Sequence, residues 1–97
     1  MLRPVYTNKF KKDYKQAIKR GCDKTKLQEV IVLLCNQTTL PEIFRDHSLT
    51  NSRNYKDMRE CHIESDLLLI WEQNDENMAI ILQRIGSHSE LFYKNKK

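Results

Sequence analysis

The C-terminal half of the chain limits its fold most. Three stretches, "DMRECHIE" (residues 57–64), "DLLLIWE" and "NMAIILQRI", follow one another closely. The first alternates in polarity, as a strand with one wet face does. The other two are almost continuously apolar. The "QNDEN" segment between them, rich in Asn and Asp, reads as a hairpin turn. Three strands in direct succession favour an antiparallel meander, and a sheet this apolar needs a second layer to cover it.

The N-terminal third supplies that layer. "RPVY" is a short extended segment in which Pro4 is tolerable at a strand start or edge. Thr7 offers a helix cap. Phe10, Tyr14, Ala17 and Ile18 then form one apolar stripe at helical spacing, and Gly21 supplies the stop. A second helix starts near Asp23 or Thr25, where Thr25-x-x-Gln28 has the spacing of a capping box. Its apolar face is Leu27, Val30, Ile31, Leu34 and Cys35. The expected fold is α+β in the order β-α-α-β-β-β, a two-helix hairpin on a mainly antiparallel four-stranded sheet, with the second sheet face at least partly open. The 97 residues suit one domain, 1–97, with 93–97 a flexible basic tail.

Residues 36–56 show no sustained period and read as a long connection, the kind often kept for function. Leu40, Ile43, Phe44 and Leu49 are its candidate tethers to the core, and it carries His47. Charge is unevenly spread: residues 1–26 hold nine basic and two acidic side chains, while the whole chain is only +4. Such a stripe suits a polyanion or an acidic protein, and equally a solvated helix face. Cys22, Cys35 and Cys61 form no paired spacing, which fits a reducing cytosol. With no apolar leader after Met1 and no run long enough for a bilayer, the expected place is cytoplasmic, without membrane contact.

Polar chemistry concentrates in "CHIESD", Cys61 to Asp66. Alternation along a strand puts Glu60, His62 and Glu64 on one face and Arg59, Cys61 and Ile63 on the other. Cys61 and His62 therefore point apart and do not readily share a metal. His47, His62 and His88 have no diagnostic metal spacing either. No metal and no cofactor is expected. Glu60 beside His62 makes a better acid–base pair, and the turn "IESD" can return Asp66 to the same region. A second stretch, "RIGSHSELF", joins Arg84, His88 and Phe92 at a strand end. A plainer reading is that strand ends are polar and Phe92 plugs the core.

"RECHIESDLLLIW", "RIGSHSELF" and the preceding "FRDHSL" together resemble the signature segments of the YafQ-like branch of the RelE family of type II toxin–antitoxin toxins. The resemblance covers most of residues 7–92. It implies a microbial-RNase fold, cleavage of mRNA on the ribosome, and neutralisation by a cognate antitoxin. Its functional positions fall on His47, His62, Asp66, His88 and Phe92, with Glu60 and Arg84 at the cleft. Ser65 replaces a usual proline, and "NSRNYK" lacks the usual Gly and Trp, leaving Asn51 and Asn54 to supply that turn. On this reading His62 and His88 transfer protons, with Asp66 or Glu60 orienting one of them. His47 contacts phosphate or shares the acid role. Arg84 stabilises phosphate charge, Phe92 stacks on a base, and Lys9, Lys11, Lys12, Lys15 and Arg59 hold RNA electrostatically. The alternatives are a non-catalytic basic module that grips RNA or ribosome, and an interaction protein whose basic helix docks an acidic partner.

Overall fold

The computed structural model describes residues 1–49 and 55–93. The elements run β1 (Arg3–Tyr6), α1 (Asn8–Lys19), α2 (Lys24–Cys35), a 3₁₀ turn (Glu42–Phe44), β2 (His47–Ser48), β3 (Arg59–Glu64), β4 (Leu67–Asn74), β5 (Ala79–Gly86) and a π-helical turn (Ser89–Tyr93). One sheet has the order β1-β5-β4-β3-β2. Among the described residues only the β1–β5 pair is parallel; the rest are antiparallel. The expected class and helix hairpin hold, but the sheet has five strands rather than four. The extra one, β2, lies within the connection read as irregular. Two exposed residues on a sheet edge carry no alternating apolar signal to betray them.

Local chemistry sets the helix ends. Thr7 caps α1 by accepting from the Phe10 N–H at 3.1 Å, and its hydroxyl donates to the Leu82 carbonyl at 2.9 Å. Gly21 ends the turn after α1 at φ 83°, a backbone region that suits glycine. Asp23 caps α2 by accepting from the Lys26 N–H at 3.1 Å. The Thr25–Gln28 spacing is therefore not a capping box: both residues already lie inside the helix.

The strand β4 explains its own unbroken apolar run. Leu67, Leu69 and Trp71 join Cys61, Ile63, Ile80, Leu82 and Ile85 in the core beneath α1 and α2. Leu68 and Ile70 point the other way into a second cluster with Tyr55 and Leu91, against which Leu49, Met58 and Phe92 pack. A strand covered on both faces has no need to alternate. Burying each such Leu or Ile contributes about 1.5–3 kcal/mol. The face opposite the helices is thus roofed over its centre and free at its margins. Of the loop tethers, Leu40 and Phe44 are buried, but Ile43 is 78% exposed and anchors nothing. The turn expected of Asn51 and Asn54, and most of the tail 93–97, lie outside the described residues.

Candidate active site

Four side chains stand in one row across the face opposite the helices. Register pairs His47 with Glu60, Glu60 with Ile70, and Ile70 with Arg84. The neighbouring row runs His62, Leu68, Gly86. Residues directly opposite in an antiparallel pair share a face, so Glu60 and His62 lie on the same side as Leu68 and Ile70. That much follows the expected alternation. Glu64 does not: the register shifts between His62 and Glu64, and its Oε2 accepts instead from the Asp23 N–H at 2.7 Å on the helix side. A bulge turns successive side chains out of strict alternation.

Glu60 pairs with His47 rather than with His62. Its Oε1 lies 3.0 Å from His47 Nε2, while His47 Nδ1 lies 2.7 Å from the Arg45 carbonyl. Arg45 itself takes a left-handed conformation, φ 51°, that starts the turn into β2. Such a conformation is uncommon for a residue with a side chain. Both ring nitrogens of His47 thus face acceptors. The His47 and His62 rings are 6.4 Å apart. Glu60 is only 4% exposed, and its Oε2 has no hydrogen-bond partner.

The second half of the cleft gathers at the end of β5. The His88 ring packs against Phe92 at 4.9 Å, and Phe92 meets Tyr55 edge-on at 5.4 Å. Asp66, in the β3–β4 turn, accepts from the His88 backbone N–H at 3.0 Å, so it fixes the chain at His88. Phe92 and Tyr55 rest on Leu68 and Ile70, which places His88 on the same face as His62. His62 and Gly86 face each other across β4, about 10 Å apart, and His88 follows Gly86 by two residues.

Arg84 forms the third corner, and it is not a free cation. Its Nε and Nη2 donate to Asp13 Oδ2 and Oδ1 at 2.6 and 3.1 Å, and its Nη1 donates to the Tyr55 hydroxyl at 3.3 Å. Asp13 holds the guanidinium firmly in its charged form, shifting it above its ordinary value. Burial pushes the Tyr55 phenol up from its ordinary value, against the pull of Arg84. Beyond Tyr6, β1 no longer covers β5, and Asp13 Oδ2 accepts there from the Ile85 N–H at 3.1 Å. Contact with this edge lets α1 reach the cleft: Lys9 and Lys12 line a groove of about 540 Å³ with Asp13, Tyr55, Met58, Gln83 and Arg84. A bulge opposite Ile70 and Trp71 brings Gln83 beside Arg84.

Other expected RNA contacts lie elsewhere. Lys11 and Lys15 border a separate groove between the helices. Arg59 bonds Asp46 at 2.9 Å and sits on the strand face opposite Glu60. Cys61 is fully buried, and loss of solvent pushes its thiol far up, leaving it protonated. Sequence reasoning missed Asp13, Tyr55 and Glu90. Only Glu90 left a trace, the Ser87-x-x-Glu90 spacing of a capping box.

The family described as the bacterial toxin of type II toxin–antitoxin systems, YafQ, matches residues 2–93. A protein named mRNA interferase toxin YafQ, from Escherichia coli strain B / BL21-DE3, is 39% identical over 88 residues, 90% of this chain and 91% of that protein. Among solved structures, the E. coli DinJ–YafQ complex superposes with a TM-score of 0.82 at 35% identity, over 95% of this chain and 99% of that one. A metal-bound toxin from Helicobacter pylori superposes at 0.87 with 39% identity, over 95% and 100%. Among the described residues no three His, Cys, Asp or Glu side chains are placed to share an ion, and His47 already directs both nitrogens at protein acceptors. The family match and these relatives agree: the chain belongs to the YafQ family of type II toxin–antitoxin toxins.

Proposed function

We propose that this chain is an endoribonuclease toxin that cuts messenger RNA on the ribosome until its antitoxin binds it. The observation that carries the reading is the shared face of His47, Glu60, His62 and His88, with an aromatic ring beside the last. RNA brings its own nucleophile. One imidazole takes the proton from a 2′-hydroxyl, whose oxygen attacks the adjacent phosphorus. The bond from phosphorus to the 5′-oxygen breaks, and a second imidazole returns a proton to that oxygen. The products are a 2′,3′-cyclic phosphate and a 5′-hydroxyl, and each proton transfer is worth roughly 10²–10⁴-fold in rate.

His62 and His88 are the proton-transfer pair on this reading. His47, clamped between Glu60 and the Arg45 carbonyl, presents charge to the phosphate. Lys9, Lys12 and the partly neutralised Arg84 supply further positive potential along the groove. Phe92 stacks on a displaced base, worth about 1–3 kcal/mol. The antitoxin assignment takes its support from the relatives, one of which is solved as a toxin–antitoxin complex.

His62→Ala and His88→Ala, assayed on ribosomes programmed with a defined message, each lose at least about 100-fold in cleavage. Mapped ends carry a 2′,3′-cyclic phosphate. Undiminished cutting by both variants, or growth arrest that survives loss of all three histidines, points instead to a non-catalytic ribosome-binding module.

A further inference from the structure

We propose that Arg20 and Glu90 form a positioning pair that holds His88 and Phe92 in place from outside the cleft. The inference rests on the catalytic reading of His88 given above. Glu90 has several roles at once. Its Oε1 accepts from the Ser87 N–H at 2.9 Å, and its own N–H donates to Ser87 Oγ at 3.1 Å, a reciprocal cap at the start of the π-helical turn. Its other oxygen meets the guanidinium of Arg20, the residue that ends α1.

Those contacts tie the turn to the rest of the molecule. Thr7 and Asp13 fasten α1 to β5. Through Arg20 and Glu90, the same helix reaches the segment on either side of His88. The Ser87 carbonyl accepts from the Leu91 N–H at 3.0 Å, and Leu91 is fully buried. Phe92 follows directly. Gly86 eases the approach, since a Cβ there would stand 3.0 Å from Glu90 Oε1 and 3.3 Å from Leu91 Cδ2, both tight contacts. Short π-helical segments of this kind are rare and cluster at functional sites.

Arg20 is 54% exposed on its side chain, so the pair itself adds little to overall stability. Its effect falls on geometry. Displacing a reacting group by an ångström costs up to about 10²-fold in rate. Arg20 and the Ser87 N–H hold the Glu90 carboxyl down at about 2, so it stays ionised at physiological pH. The pair is therefore a fixed support and not a proton carrier.

The test compares Arg20→Gln, Glu90→Gln, the double variant and Arg20→Lys with the parent and with His88→Ala, on programmed ribosomes. Each single Gln variant is expected to lose about 10-fold in kcat, with KM within about two-fold. The loss is the same factor at every pH from about 5 to 9. The double variant is no worse than either single, and Arg20→Lys retains most activity. Amide exchange at His88 and Leu91 quickens in both Gln variants while the melting temperature hardly moves. Parent-like rates in the Gln variants beside an inactive His88→Ala overturn this proposal alone, as does unchanged exchange. A fully active His88→Ala overturns the catalytic reading and this inference with it.

Discussion

The His47 imidazole and the Glu60 carboxylate face each other at 3.0 Å across the β2–β3 register, and the second Glu60 oxygen is buried without a partner. Leaving such a group unsatisfied costs about 1–3 kcal/mol. Folding alone gives no reason to keep it; a site that must clamp an imidazole does. Because the Arg45 carbonyl can only accept, Nδ1 carries a proton.

Replacing Glu60 by Gln separates the two roles. The variant no longer buries a charge, so it melts at or above the parent's temperature. It also loses the carboxylate that supports imidazolium, and cleavage falls at least 10-fold, an order-of-magnitude figure set by the worth of one electrostatic partner. Thermal melts and cleavage rates measured on one preparation check both halves. A variant that melts lower and cuts normally would show Glu60 to be structural.

Asp13 serves two partners, the Arg84 guanidinium and the Ile85 N–H. Asp13→Ala removes both and leaves a half-buried cation unpaired. Breaking a buried pair this way costs about 3–5 kcal/mol, and the partial exposure here puts the expected loss near the lower end. Asp13→Asn keeps an acceptor for Ile85 and loses less. Urea midpoints at constant slope give the ranking; equal losses would mean that the β5 edge contact contributes nothing.

Tyr55 closes the network on the other side, donating to the Leu91 carbonyl at 2.8 Å while accepting from Arg84. Tyr55→Phe keeps the ring against Phe92 but leaves that carbonyl short of a donor. The expected cost is about 1–3 kcal/mol, with slower cleavage because the residues on either side of Leu91 loosen. Denaturant titration and single-turnover rates measure the two effects. No change in either would leave the hydroxyl without a role.

How much of this was legible follows from which signals are local. The helix stripes, the Thr7 cap and the apolar run of β4 are written in spacings of two to four residues, and they predicted the layers. The shared face of Glu60 and His62 also followed from strand alternation. The choice of His47 as Glu60's partner depended on β2, a two-residue edge strand with no pattern of its own. Glu64 departed because a bulge is a register event between strands, invisible along one of them. Arg84 was expected to be available for phosphate; its bond to Asp13, 71 positions away in sequence, has no local trace. The side chains that gather at the candidate site were thus readable as an inventory. Their pairings depended on contacts that only the folded chain creates.

The depressed Glu90 carboxyl makes one further pH-dependent statement. Its folded value is about 2, below the ordinary 4.5. A carboxylate lowered by folding adds stability that is fully present above its unfolded pKa and disappears as pH falls through the folded one. The contribution of Glu90 is therefore intact at neutral pH and is lost between about pH 4.5 and 2. Half-exposure of Arg20 and screening by salt keep the effect local. In hydrogen exchange at descending pH, corrected for the intrinsic rate, protection at Leu91 should fall through that window in the parent. In Glu90→Gln it should already be low and change little. Parent and variant showing the same acid profile would mean that the carboxylate, whatever its neighbours, does not secure the turn that carries His88.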